Sequence, residues 1–240
     1  MLLDNAALQN HYARGVTTLY NNWRNLAENE RRAILQRLLS EVAGMANLPM
    51  PKLVWLPSES SFFRLGVWEI HASLSAMTLK PSSDFKTWLH KITSPYHELR
   101  HADQHRIIME AFMTKAVALP VLFSRNIVRI NGDLPKTLVQ EGYPYPMQIL
   151  TRIRMQKAEF QQAWIPQARA WSDSIFGRFA NARQHTMNTL AAHGKGIHYG
   201  AYRALPEEAD AFQVQTQVKR SIKAMIGDDV DLSDAFDMFA

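Results

Sequence analysis

The chain contains no cysteine. That excludes disulfides, cysteine-ligated zinc and thiol nucleophiles, and it leaves His, Asp and Glu as the side chains able to hold a metal. No apolar run approaches the ~20 residues that a membrane-spanning helix needs. The opening Met1-Leu2-Leu3-Asp4-Asn5 lacks the basic and apolar regions of a classical secretory signal. The expectation is a chain made as a soluble cytoplasmic protein, or cut from a longer one, reaching any other compartment by a dedicated export route. Charge of neither sign dominates: 27 Lys and Arg against 22 Asp and Glu leave a net +5, which reads as a solvated basic surface rather than a nucleic-acid footprint. With 47% hydrophobic residues in 240, there is enough apolar material for one domain core.

Against these absences stands one stretch, His97-Glu98-Leu99-Arg100-His101, which spells H-E-x-x-H. On a helix, residues four apart share a face, so both imidazoles can reach one zinc ion, while Glu98 is placed to take a proton from water that the metal activates. Ser94 and Pro95 suit the N-cap and first position of a helix running to Leu119, where Pro120 stops it. His71 and His90 lie in the same half of the chain, but a lone histidine in a strand or short helix more often serves the structure than a metal.

Around the motif the chain reads as a single α+β domain, 1–240, predominantly helical. Residues 1–50 predict two N-terminal helices, the second capped by Asn29, with Arg31, Arg32 and Arg37 on its wet side. Residues 52–80 predict a small sheet of three or four strands, drawn from Lys52–Leu56, Val67–His71 and Ala76–Leu79. A short helix over 84–92 leads to the motif helix, 94–119. A helical segment over 147–192, interrupted at Pro166, interleaves arginines with Trp164, Trp171, Phe176 and Phe179. Aromatic residues at that spacing usually pack a core, and no nucleic-acid motif accompanies them. The Gly-rich 193–200 lacks the G-K-[ST] of a phosphate loop. A further helix over 204–226 and an acidic tail, 228–240, close the chain.

A catalytic zinc needs three protein ligands. The extended metzincin pattern is excluded, because Gln104 and Ile107 stand where Gly and His are required. Glu110 lies too far along the same helix, and Pro120-Val121-Leu122 offers no carboxylate at the thermolysin-like spacing. Glu141, Glu159, Glu207 and Glu208 remain. Glu208 leads because Pro206 marks the start of a helix that would hold it and small Ala209 and Ala211 allow close packing. Glu207 is the alternative, and Asp103 or Asp210 could orient a ligand imidazole.

The stretch 96–104, followed by Pro206-Glu207-Glu208-Ala209-Asp210-Ala211, resembles the gluzincin type of zincin metallopeptidase. More narrowly, it is similar to metallopeptidase domains of bacterial polymorphic toxins and type VI-like effectors, which share H-E-x-x-H-x-x-Q and a distant P-x-E-x-x-A. The resemblance implies a zincin-like fold, with the small sheet packed on the motif helix, and Zn2+ held by His97, His101 and Glu208. It further implies hydrolysis of a peptide or protein substrate, a peptidoglycan peptide among them, and an immunity or secretion-apparatus partner. Glu98 would be the catalytic base. Tyr202 would donate to the oxyanion, with Tyr199 and His198 as substrate-binding groups and His193 a further donor from the same loop. The strand 67–71 or 76–79 would be an edge on which an extended substrate could pair.

Overall fold

The computed structural model describes residues 2–58, 60–113, 162–176, 179–193 and 198–227. The expected end of the motif helix after Met113, the start of the helical segment, Glu141, Glu159, the glycines of the 194–197 loop and the acidic tail lie outside them. The described residues are mostly helical with one three-stranded sheet, an α+β chain dominated by helix. They divide into two compact units: 2–64, 68–103 and 211–227 in the first, 65–67 and 104–210 in the second.

In the first unit α1 (Ala6–Asn21) starts at Asn5, whose side chain accepts from the Ala7 amide. A 3-10 turn, Trp23–Asn25, leads to α2 (Glu28–Met45). Asn29 lies inside this helix rather than capping it. Glu30 reaches back to accept from the Ala27 amide at 2.6 Å, a side chain three residues on satisfying an orphan donor. Leu35, Leu38, Leu39 and Val42 are buried against α1, whose buried residues include Leu8, Tyr12, Val16 and Leu19. Arg31 does not lie on the wet side. Its guanidinium donates to the Met77 and Trp23 carbonyls at 2.8 and 2.6 Å and covers the Trp23 ring. A helix end and a 3-10 turn leave carbonyls unpaired, and a long planar donor satisfies both.

The sheet has the order β1-β3-β2, with β1 (Lys52–Leu56) parallel and β2 (Phe62–Arg64) antiparallel to β3 (Glu69–Ser73). Two expectations are corrected here. Val67 and Trp68 precede the central strand, because buried Trp68 takes φ 55° and donates its indole N–H to the Pro49 carbonyl at 2.8 Å. Such a conformation cannot continue a ladder. Ala76–Leu79 is not a strand either: Ser75–Thr78 forms one helical turn, α3, which buries Ala76 and Met77. Among the described residues the edge strands are therefore β1 and β2. The segment 67–71 ends within β3, which is paired on both sides, and this removes it as a surface for strand addition.

The motif helix is longer at its start than expected. α4 runs unbroken from Phe85 to Met113 with Pro95 inside it. Asp84 caps it, accepting from the Thr87 amide at 2.9 Å, and hydrogen bonds from the Thr87 side chain and then its amide hold the Asp84 carboxyl below its usual range. Proline removes one donor from the ladder and normally breaks a helix. Here hydroxyls serve the adjoining carbonyls: Thr93 donates to Leu89 and Ser94 to His90, each at 2.8 Å, and Tyr12 donates to Ile92 at 2.7 Å. Ser94 thus bonds back into the preceding turn instead of capping a new helix.

The described part of the second unit holds the last turns of α4, a 3-10 turn at Gln162–Trp164, α5 (Ile165–Ile175), α6 (Ala180–His193), α7 (His198–Arg203) and the first turn of α8 (Pro206–Ile226). Pro166 opens α5 rather than interrupting a helix, since the first turn needs no donor at that place. Trp164, Trp171 and Phe176 are buried, Phe179 exposed. The buried Arg106–Glu110 pair closes at 2.7 Å, one turn apart on α4.

Candidate metal centre

α4 and α8 are each continuous, and they pair in both units. In the first, the Gln215 carboxamide donates to the Thr93 hydroxyl at 3.1 Å, Lys219 Nζ lies 3.1 Å from His90 Nδ1, and the Phe212 ring packs on His97 at 4.6 Å. In the second, the Gln104 carboxamide donates to the Glu207 carbonyl at 2.8 Å and to the Asp210 carboxylate at 2.7 Å. Glu208 lies four residues before Phe212 on α8, so it extends the helix face that meets His97.

The two motif imidazoles turn their Nε2 atoms towards each other at 3.2 Å, with ring planes 83° apart. Two ligands at Zn–N distances of 2.0–2.1 Å and the tetrahedral angle have nitrogens about 3.3–3.4 Å apart. The pair therefore already holds the separation that a shared ion requires. The ligand atoms of His97, His101 and Glu208 all lie within 4.8 Å of one another, and among the described residues they are the one such group. His97 and Glu208 are buried, His101 half-buried. This His-His-Glu group can hold a metal ion: two imidazole nitrogens and one carboxylate suit zinc and its divalent neighbours.

Of the two candidate third ligands, Glu207 is engaged elsewhere. Its Oε1 accepts from Arg183 Nε of α6 at 2.6 Å, with the carboxylate almost fully buried. Consecutive residues on a helix point about 100° apart, so only one of them can face α4. Asp210 accepts from Gln104. Asp103 accepts from Arg100 at 2.6 Å and from the Leu3 amide at 3.0 Å, a buried pair that fastens the start of the chain to the motif helix. His71 bonds Glu69 at 3.0 Å and packs at a tilt against Phe62, and His90 faces Lys219. Neither belongs to the metal group.

Glu98, next to His97 in sequence, is buried. Tyr199 is buried on α7, and its ring stacks on that of half-buried Tyr202 at 5.9 Å. Burial pushes the Tyr199 hydroxyl above its ordinary pKa. Arg203 opposes the shift and the charge of Glu208 adds to it, so the phenol stays protonated. The side chains of His193 and His198 lie outside the described residues. Sequence reasoning missed the bonding of Gln104 and the Arg183–Glu207 pair. The first had a signal, since His97, His101 and Gln104 follow the i, i+4, i+7 spacing of one face. The second joins residues 24 apart and had none. No family model matches the chain, and neither a curated protein nor a solved structure does.

Proposed function

We propose that the chain is a zinc-dependent metallopeptidase of zincin-like build, with His97, His101 and Glu208 as metal ligands and Glu98 as the catalytic base. The observation that carries the reading is the 3.2 Å approach of the two Nε2 atoms within an H-E-x-x-H stretch whose glutamate is also buried. Two imidazole nitrogens and one carboxylate oxygen within 4.8 Å of one another match the ligand set of a hydrolytic zinc. Zinc bound there supplies the Lewis acidity that polarises a scissile carbonyl and lowers the pKa of water. The Glu98 carboxylate accepts the proton of the attacking water and passes it to the departing amine. Tyr202 donates to the oxygen on which charge develops, and Tyr199, whose buried ring stacks on it, braces it. The outer edges of β1 or β2 are where an extended substrate could add as a strand.

Two measurements test this. Purified protein should carry about one zinc per chain by mass spectrometry, absent from the His97→Ala His101→Ala variant. Glu98→Gln should keep the metal and lose turnover of peptide substrates, because the base and not a ligand is removed. Turnover retained in Glu98→Gln would refute the mechanism. The motif pair shared with toxin and effector domains extends the proposal to an exported effector acting on a peptidoglycan peptide or a target protein. Growth arrest by periplasm-directed wild type, but not by Glu98→Gln, is the outcome expected for the peptidoglycan case.

A further inference from the structure

Gln104 stands one turn beyond the motif and takes no part in the chemistry above. It is fully buried. A primary carboxamide has two N–H donors, and those of Gln104 go to the Glu207 carbonyl at 2.8 Å and the Asp210 carboxylate at 2.7 Å. These acceptors bracket Glu208 in sequence. Independently, the Glu207 side chain is tied to Arg183 at 2.6 Å. The first turn of α8 is therefore held at three points, with the ligand glutamate between them.

The first turn of a helix is its weakest place. Its amides lack intrahelical partners, and it opens more readily than the middle. Without an anchor, the backbone of Glu208 would fluctuate with that turn. We infer that Gln104 is the positioning residue for the third metal ligand: the motif helix fixes not only its own two histidines but, through this carboxamide, the place of Glu208. The inference rests on the metal centre proposed above. It assigns the seventh position after His97 a role in metal affinity rather than in catalysis or packing alone. His97, His101 and Gln104 then act as one face that sets all three ligands.

The test is zinc affinity by chelator competition on the full chain, with the absorption spectrum of the cobalt-substituted protein as a second readout. Gln104→Met keeps the length and volume of the side chain but offers no donor. It should bind zinc about 10–100-fold more weakly, the range seen when a group supporting a ligand is removed, and should alter the cobalt spectrum. Gln104→Lys retains donors for both acceptors and should stay within a few-fold of wild type. Unchanged zinc affinity in Gln104→Met, even with a lowered melting temperature, would overturn the inference and leave Gln104 a packing residue. Should Gln104→Met fail to fold by far-UV circular dichroism, Asp210→Leu removes one of the two acceptors and should weaken zinc several-fold. Unchanged affinity there would overturn the inference equally. If wild type itself binds no zinc, the metal centre fails and the inference with it, a result distinct from tight binding in both proteins.

Discussion

Exchanging Glu207 and Glu208 separately for methionine should give opposite signatures, because two adjacent buried carboxylates have different partners. Glu207 holds Arg183 at 2.6 Å, and Glu207→Met removes a charge-assisted hydrogen bond worth about 1.5–3 kcal/mol. The larger penalty of about 3–5 kcal/mol for stranding a buried charge does not apply. The Arg183 side chain is 25% exposed and can turn to water. For a chain of this size, 1 kcal/mol moves the melting midpoint by roughly 2–4 °C, so metal-free Glu207→Met should melt about 3–12 °C below wild type. Its zinc affinity should stay within a few-fold, since the helix turn is still anchored by Gln104. Glu208→Met should act on the metal instead. Losing a direct ligand should weaken zinc by at least about 100-fold, or about 2.7 kcal/mol. Thermal melts of chelator-stripped protein and zinc competition titrations read the two effects apart. Zinc loss in Glu207→Met with tight binding in Glu208→Met would refute the assignment of the third ligand.

Other expectations concern the frame that carries the site. An alanine at Gly15 would place its Cβ 2.1 Å from Leu38 Cδ2 and 2.9 Å from Leu38 Cγ, whereas at Gly44 nothing lies within 4 Å. Both substitutions gain about 1 kcal/mol of helix propensity, but only Gly15→Ala adds an overpacking cost of about 1–3 kcal/mol. Urea unfolding should therefore rank Gly44→Ala above wild type and Gly15→Ala below Gly44→Ala; equal midpoints would mean that α1 and α2 pack less closely than described. Tyr12 and Tyr96 are buried, and burial is the main cause that raises both hydroxyls above the ordinary pKa of 10.0. Above about pH 10 the unfolded chain loses these protons and the folded one keeps them, so stability should be level below that pH. It should then fall by up to about 1.4 kcal/mol per pH unit for each tyrosine. A Tyr12→Phe Tyr96→Phe variant whose alkaline unfolding is as steep as wild type would contradict this.

The N-terminal helices were legible because their apolar periodicity matches the face they bury, and β1 because it is a short apolar run closed by Pro57. Arg31 was misread for the same reason: periodicity puts it on the polar side, and only the carbonyls of Trp23 and Met77 call it inward. Ser94-Pro95 carries the local signature of a helix start, yet α4 passes through it. Tyr12, 83 residues earlier than Pro95, helps to satisfy the turn that proline disturbs. Phe62–Arg64 was overlooked because three residues are too few for alternation to register, and they become a strand only by pairing with β3.

The metal motif shows the division of labour. Spacing alone determines that His97 and His101 share a helix face, because 3.6 residues per turn is a property of any α-helix. The absence of cysteine alone restricts the third ligand to an oxygen or another imidazole. Which carboxylate joins them is not local information. Glu207 and Glu208 are equal in composition and neighbours in sequence, and they separate only because Arg183 takes the first while the packing of α8 on α4 turns the second to the histidines. That choice belongs to tertiary structure, where contacts across a hundred residues outweigh the preferences of either side chain.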